Sequence, residues 1–436
     1  MKSGKIAIVY LVFLMIVSGM HMNAQNKMLD SVYNDYIKTT NVDQKLDKAM
    51  HMVLLLGDNN EIEKANQLIS NLEKLSVEPS KAEYKTGMVL LSKALLYKTM
   101  DSADKSISFS KKAIPLVGSN KSSLAEAKSL ILLNYYLQGH FDSCIQMGAR
   151  ILPEIKKSGN INSEIEVLMC VGRSHDFMGD RKRAIQISLS AIELAKQHQK
   201  IIKLSELYIS MSTIYKGEDI NVAKKYALES LAVLQKTKDE RTKSVVNVCY
   251  LILGNVYYDM KNKDSALYYY DLCREASLKV NDRRTYLAAL GNIGNVTYEQ
   301  GNYAKALEYN FLTLKEYKQI GVNSEVAVAY GSLADIYKDM KNYPKAISYY
   351  DSALVITKQI QSADDFIYNY KGLSETYEMM GNDKEAFKYY RLYKQWNDSI
   401  NNNQNSKKIT QMELDYKYKS EQKEKDLVQK NKDLIT

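Results

Sequence analysis

An all-α chain built as a solenoid of stacked helical hairpins is what the sequence predicts, and three observations predict it. Helix breakers are scarce, with 4 Pro and 19 Gly in 436 residues. Alternating apolar and polar runs bounded by turn residues, the mark of strands, are almost absent. A small residue, followed three and four positions on by aromatics in the clearest copies, recurs at a nearly constant interval along most of the chain.

The chain opens with Lys2 and Lys5 before an apolar run from Ile6 to Val17, then Ser18, Gly19 and Asn23-Ala24-Gln25. Charged start, short apolar core and polar exit describe a secretory signal peptide over residues 1–24, cut after Ala24. The alternative is an uncleaved signal anchor, although the run is short for a bilayer span. No Cys follows the apolar core, which disfavours a lipid-anchored form. The expected location is therefore exported, periplasmic or envelope-associated.

Residues 27–396 carry the repeat. The small residue falls at Ala65, Ser106, Cys144, Ala184, Ala223, Ala266, Ala306, Ala346 and Ala386, at intervals of 38 to 43 residues, with the first two copies degenerate. It must be small because the two helices of a hairpin cross there, and a larger side chain would force them apart. Tyr269-Tyr270, Tyr349-Tyr350 and Tyr389-Tyr390 are expected to fill the space between one hairpin and the next, ring packed and hydroxyl bonded. Gly139, Gly179, Gly301 and Gly381 stand where the first helix must end in a left-handed residue. Lys261 and Lys341 replace that glycine, and the following Asn262 and Asn342 are expected to take the left-handed conformation. Pro344 fits the first turn of a second helix, and Ser362-Ala363-Asp364-Asp365 reads as a capping box. One hairpin cannot bury its own apolar face, so stability comes from stacking neighbours.

Three segments carry a family resemblance: Ile293-Gly294-Asn295-Val296 with Gly301-Asn302-Tyr303-Ala304-Lys305-Ala306, Leu333-Ala334-Asp335-Ile336-Tyr337 with Asn342-Tyr343-Pro344-Lys345-Ala346, and Leu373-Ser374-Glu375-Thr376-Tyr377 with Gly381 through Ala386. They resemble the tetratricopeptide repeat, whose standard unit of 34 residues is here lengthened to about 40, or roughly one turn more per helix. The resemblance implies a right-handed α-solenoid of about nine hairpins that binds a protein or peptide on its concave, first-helix face.

In that register Arg173, Thr213, Asn255, Asn295, Asp335 and Glu375 point inward, with Tyr258, Tyr298, Lys338 and Glu378 following on the same side. An Asn there can bond a ligand's backbone amide bidentately and so hold an extended peptide without reading its sequence. Each position also reads as a plain solvated helix residue. For Asn255 and Asn295 both readings stand, and for the others the solvated one is favoured, so replacing Lys338 by leucine is expected to be nearly neutral. Some relatives clamp a C-terminal carboxylate with lysines, asparagines and an arginine. Asn255 and Asn292 match the asparagines, but neutral residues such as Leu251 and Ala288 stand where cations are needed, so that clamp is absent.

No cofactor, metal or nucleic-acid ligand is expected. The net charge of +9 is dispersed among acids rather than gathered into a basic stripe. Cys144, Cys170, Cys249 and Cys273 lack ligand spacing and suit buried small positions. The five histidines are scattered, no catalytic fingerprint is found, and Gly291-Asn292-Ile293-Gly294 is a helix-packing pattern with no preceding strand. The chain reads as a binder and not an enzyme.

Residues 397–436 differ. After Asn401-Asn402-Asn403-Gln404-Asn405, a thin stripe of Ile409, Met412 and Tyr416 runs along a highly charged helix. Such a helix either caps the last hairpin or pairs weakly as a coiled-coil homodimer. Signal peptide, long repeats and a Lys/Glu-rich helix together resemble the sensor halves of Gram-negative membrane signalling proteins, which continue into a histidine kinase or a helix-turn-helix regulator. This sequence stops at Thr436 before any such segment. Two functions therefore stand: an exported scaffold or receptor, or a ligand-sensing half whose output lies elsewhere.

Overall fold

The structure, a computed structural model, describes residues 33–398 apart from 59–60, 101, 238–241 and 361. The predicted signal segment 1–24 and the tail beyond 398 lie outside the described residues. Among the described residues no strand is present, which is the all-α repeat fold the sequence predicts.

A short helix α1 (33–38) precedes nine hairpins. The first five are α2 (Val42–Asp58) with α3 (Ile62–Glu73), α4 (Ala82–Thr99) with α5 (Ala103–Val117), α6 (Lys121–Leu137) with α7 (Phe141–Ser158), α8 (Ile161–Phe177) with α9 (Arg181–Gln197), and α10 (Ile201–Tyr215) with α11 (Ile220–Gln235). Then come α12 (Lys243–Asp259) with α13 (Lys263–Lys279), α14 (Arg283–Glu299) with α15 (Tyr303–Ile320), α16 (Asn323–Asp339) with α17 (Tyr343–Ile360), and α18 (Ala363–Met379) with α19 (383–398). They form two compact units. The first runs to Phe177 and adds Arg181–Asn262 and Leu272–Tyr286; the second takes Met178–Asp180, Lys263–Asp271 and the residues from Leu287 on.

The small residues sit where the sequence places them. Ala65, Ser106, Cys144, Ala184, Ala223, Ala266, Ala306 and Ala346 are each 0 % exposed. Ala386 is only half-buried, because α19 is covered on one side alone among the described residues. All four cysteines are free and buried. In the first unit the layers close over Leu46, Met50, Met88 and Leu91 at one end and Ile165, Leu207 and Met211 further on. In the second, Tyr350 and Leu373 are fully buried and Phe366 stacks on Trp396 at 4.4 Å. Each such side chain contributes roughly 1.5–3 kcal/mol by leaving water. Tyr389 stacks on Tyr377 at 5.6 Å, but Tyr390 stays largely exposed, contrary to the expectation that both would fill a gap.

The turns correct one reading. Lys261 and Lys341 are themselves left-handed, at φ 61° and 59°, in the place that Gly301 occupies at φ 78°. The reason is that the next residue is already committed as the N-cap of the second helix. The side chains of Asn302 and Asn342 accept from the backbone N–H of Lys305 (3.2 Å) and Lys345 (3.4 Å), a cap that requires an ordinary negative φ. The lysine therefore bears the left-handed strain, about 1–2 kcal/mol. Ser362 caps α18 by accepting from the Asp365 N–H at 3.3 Å, as its sequence suggests.

Within each unit the first helices of successive hairpins touch one another, α6 against α8 and α16 against α18, while among the described residues the second helices make no comparable contact. The first helices therefore line the inner face.

Candidate ligand-binding face

Four predicted positions come together on the inner face of the second unit. Asp335, on α16, accepts a hydrogen bond from the Tyr350 hydroxyl of α17 at 2.5 Å and another from the Tyr368 hydroxyl of α18. Lys338, one turn after Asp335, reaches it at 3.1 Å and donates to Glu375 of α18 at 2.9 Å. Tyr298 of α14 donates to Asp339 at 2.6 Å. Three successive first helices are thus tied together by side chains that also face the groove.

The local sequence makes this closure feasible. Gly331 has no side chain, so the Tyr368 ring lies over α16; a Cβ there would come within 2.7 Å of that ring. Lys338 is only 9 % exposed, so the expectation of a solvated lysine is wrong. Burial pulls its ammonium down, but Asp335 and Glu375 outweigh burial, and its pKa ends above that of an ordinary lysine. Burial, then Asp335, pushes the Tyr350 and Tyr368 phenols far up; burial and the bond to Asp339 do the same for Tyr298. All three remain protonated donors near neutral pH.

Against this locked background Asn295 stands apart. Asn295, half-buried on α14, has no hydrogen-bond partner for its carboxamide among the described residues. One turn before it, Gly291 faces open space, with nothing within 4 Å of where a Cβ would stand. A donor–acceptor pair beside a bare stretch of helix is what an extended backbone needs in order to approach. Asn292, also on α14, is half-buried.

Of the remaining predicted residues, Glu378 is exposed on α18, and Arg173, Thr213, Asn255 and Tyr258 belong to the first unit and do not join this cluster. Arg173 of α8 donates from Nε to the Ser210 hydroxyl of α10 at 2.8 Å. Asn255 and Tyr258 are half-buried on α12, with the Lys261 ammonium 5.7 Å from the Tyr258 ring centre. The sequence reading missed Tyr350 and Tyr368, which reach Asp335 from other helices. It also missed a row of glutamates, Glu126, Glu166 and Glu206, whose 40-residue spacing was legible. Glu166 and Glu206 share Lys203, at 2.5 and 2.9 Å.

Stacked hairpins with ligand-type side chains along the first-helix face define a helical-repeat binding scaffold. Residues 325–393 match the tetratricopeptide repeat family, and the chain has the all-α helical-repeat fold of solved repeat proteins. The apo form of the quorum sensor NprR from B. thuringiensis superposes with a TM-score of 0.57 at 16 % identity, covering 81 % of this chain and 98 % of that one. A Rap protein complexed with Competence and Sporulation Factor gives 0.54 at 11 %, covering 83 % and 99 %. The Rap conjugation gene regulator of the plasmid pLS20, in complex with the Phr* peptide, gives 0.50 at 16 %, covering 78 % and 96 %. At these identities the likeness is one of fold. Among curated proteins, none matches the chain in sequence.

Proposed function

We propose that the chain binds an extended peptide, free or part of a protein, along its inner helix faces, and that it acts by binding and not by catalysis. The observation that carries this is Asn295: a carboxamide without a partner among the described residues, next to the open wall at Gly291, in a face where Asp335, Lys338, Glu375 and Tyr298 are already tied together. Groups held in place before binding cost little entropy when a ligand arrives. The Phr* peptide in one structure of similar fold supports the same class of ligand.

The chain fits an exported receptor, since Lys2, Lys5 and the Ile6–Val17 run have the pattern of a signal peptide. The second reading is the sensing half of a signalling system, favoured by the fold shared with a quorum sensor and by the thin apolar stripe Ile409, Met412 and Tyr416 in a highly charged segment, as a weak pairing element. A random peptide array probed with residues 25–436 tests the binding reading. Bound sequences are expected, and Asn295→Ala and Gly291→Leu should each weaken them about tenfold, the order of one buried hydrogen-bonded group or a blocked approach. An array on which both variants bind as the wild type does would refute it.

A further inference from the structure

The glutamate row of the first unit holds an unfilled place. Glu126 on α6, Glu166 on α8 and Glu206 on α10 occupy one register position at intervals of 40 residues. Between the last two stands Lys203, whose ammonium lies 2.5 Å from Glu166 and 2.9 Å from Glu206. The residue 40 positions before Lys203 is Ser163, buried and 3.4 Å from the Ser129 hydroxyl. The repeat therefore supplies a cation between Glu166 and Glu206 and none between Glu126 and Glu166.

No lysine or arginine pairs with Glu126 among the described residues. Its carboxylate makes no hydrogen bond or ion pair among the described residues. Lys128, two residues on, is turned to Glu154 at 2.6 Å. Of the charged groups that influence Glu126, His51 of α2 offsets part of its charge and Asp47 of α2 adds to its negative surroundings. The residue is half-buried, and desolvation pushes its pKa up. A half-buried carboxylate with no ion-pair partner is stabilised when a cation joins it.

We propose that the inner face of the first unit receives a cationic group of a bound polypeptide, an ammonium or a guanidinium, on Glu126, in the place that Lys203 fills one repeat further on. The proposal rests on the preceding reading only for the class of ligand, since none of its residues belongs to the Asn295 cluster. It gives the groove a chemical preference: a peptide with a basic side chain or a free amino terminus is held, and an acidic one is rejected by Glu126 and Asp47.

Two probes separate the sources of the cation: labelled hexaarginine with both ends blocked, and labelled hexaglycine with a free amino terminus. At least one is expected to bind in fluorescence anisotropy, although the protein itself is net basic. Glu126→Gln, which keeps shape and removes charge, should weaken that probe about tenfold, and Glu154→Gln should leave it unchanged. Ser163→Lys should fill the place internally and abolish binding while thermal melting shows the fold retained. Binding by neither probe, or equal weakening by Glu126→Gln and Glu154→Gln, would overturn the proposal. Asn295→Ala should not alter hexaarginine binding, so the two readings fail separately.

Discussion

Replacing Lys338 by methionine keeps the aliphatic stem and removes the ammonium. In the folded protein that ammonium lies 3.1 Å from Asp335 and 2.9 Å from Glu375, with the side chain 10 % exposed. Breaking a fully buried ion pair by removing one partner costs about 3–5 kcal/mol. Two features lower that figure here: Asp335 keeps its bonds from Tyr350 and Tyr368, and Glu375 is 39 % exposed and retains Lys371 at 3.8 Å. The expected loss is therefore about 1–3 kcal/mol. The pKa of Lys338 is raised in the folded state, so its contribution is complete at neutral pH and disappears only as pH rises through and beyond the ordinary lysine range. Urea unfolding followed by circular dichroism at neutral pH measures the effect. Lys371→Met, at a site 59 % exposed, serves as control and should cost less than about 0.5 kcal/mol. Equal midpoints for the two variants would refute the assignment of Lys338 to a buried pair.

Ala346→Leu, at a fully buried crossing of α16 and α17, should overpack the hairpin by about 1–3 kcal/mol, read from the same unfolding experiment. Glu126→Gln should change the pH dependence of stability. The raised pKa of Glu126 means that the folded protein is favoured below the ordinary glutamate range and loses that advantage as pH rises toward about 7. The variant should accordingly match the wild type in acid and exceed it at neutral pH, and a constant difference across that window would contradict the assignment. N-terminal sequencing of protein recovered from the envelope should begin near Gln25. Deleting residues 406–436 should abolish any dimer seen by sedimentation at high concentration while helix content in the repeats is kept.

The fold was legible because its cause is local. Two helices can cross only where a side chain is small, and that constraint repeats at Ala184, Ala223, Ala266, Ala306 and Ala346 whatever else varies. The turns were half legible. Asn262 and Asn342 were recognised as turn residues, but whether an Asn caps the next helix or takes the left-handed position depends on a shift of one residue that composition does not reveal. The inner face was legible in direction and not in depth. Register places Asp335 and Lys338 toward the groove, yet their burial is set by Tyr350 and Tyr368, which arrive from 15 and 33 residues away. Glu126, Glu166 and Glu206 recur at the same 40-residue interval, but the interval alone does not show which of the three acquires a cation.

The central claim, that the first-helix face holds a polypeptide, is tested most directly by site-specific photo-crosslinking. A benzophenone amino acid is placed at Val328, a residue of the first helix α16 that is 54 % exposed and lies two turns before Asp335 on the same face, and separately at Val355, a residue of α17 that is 56 % exposed. After irradiation in the native cell, a discrete polypeptide adduct is expected from position 328 and none from position 355. Adducts of equal yield at both positions, or at 355 alone, would contradict the account.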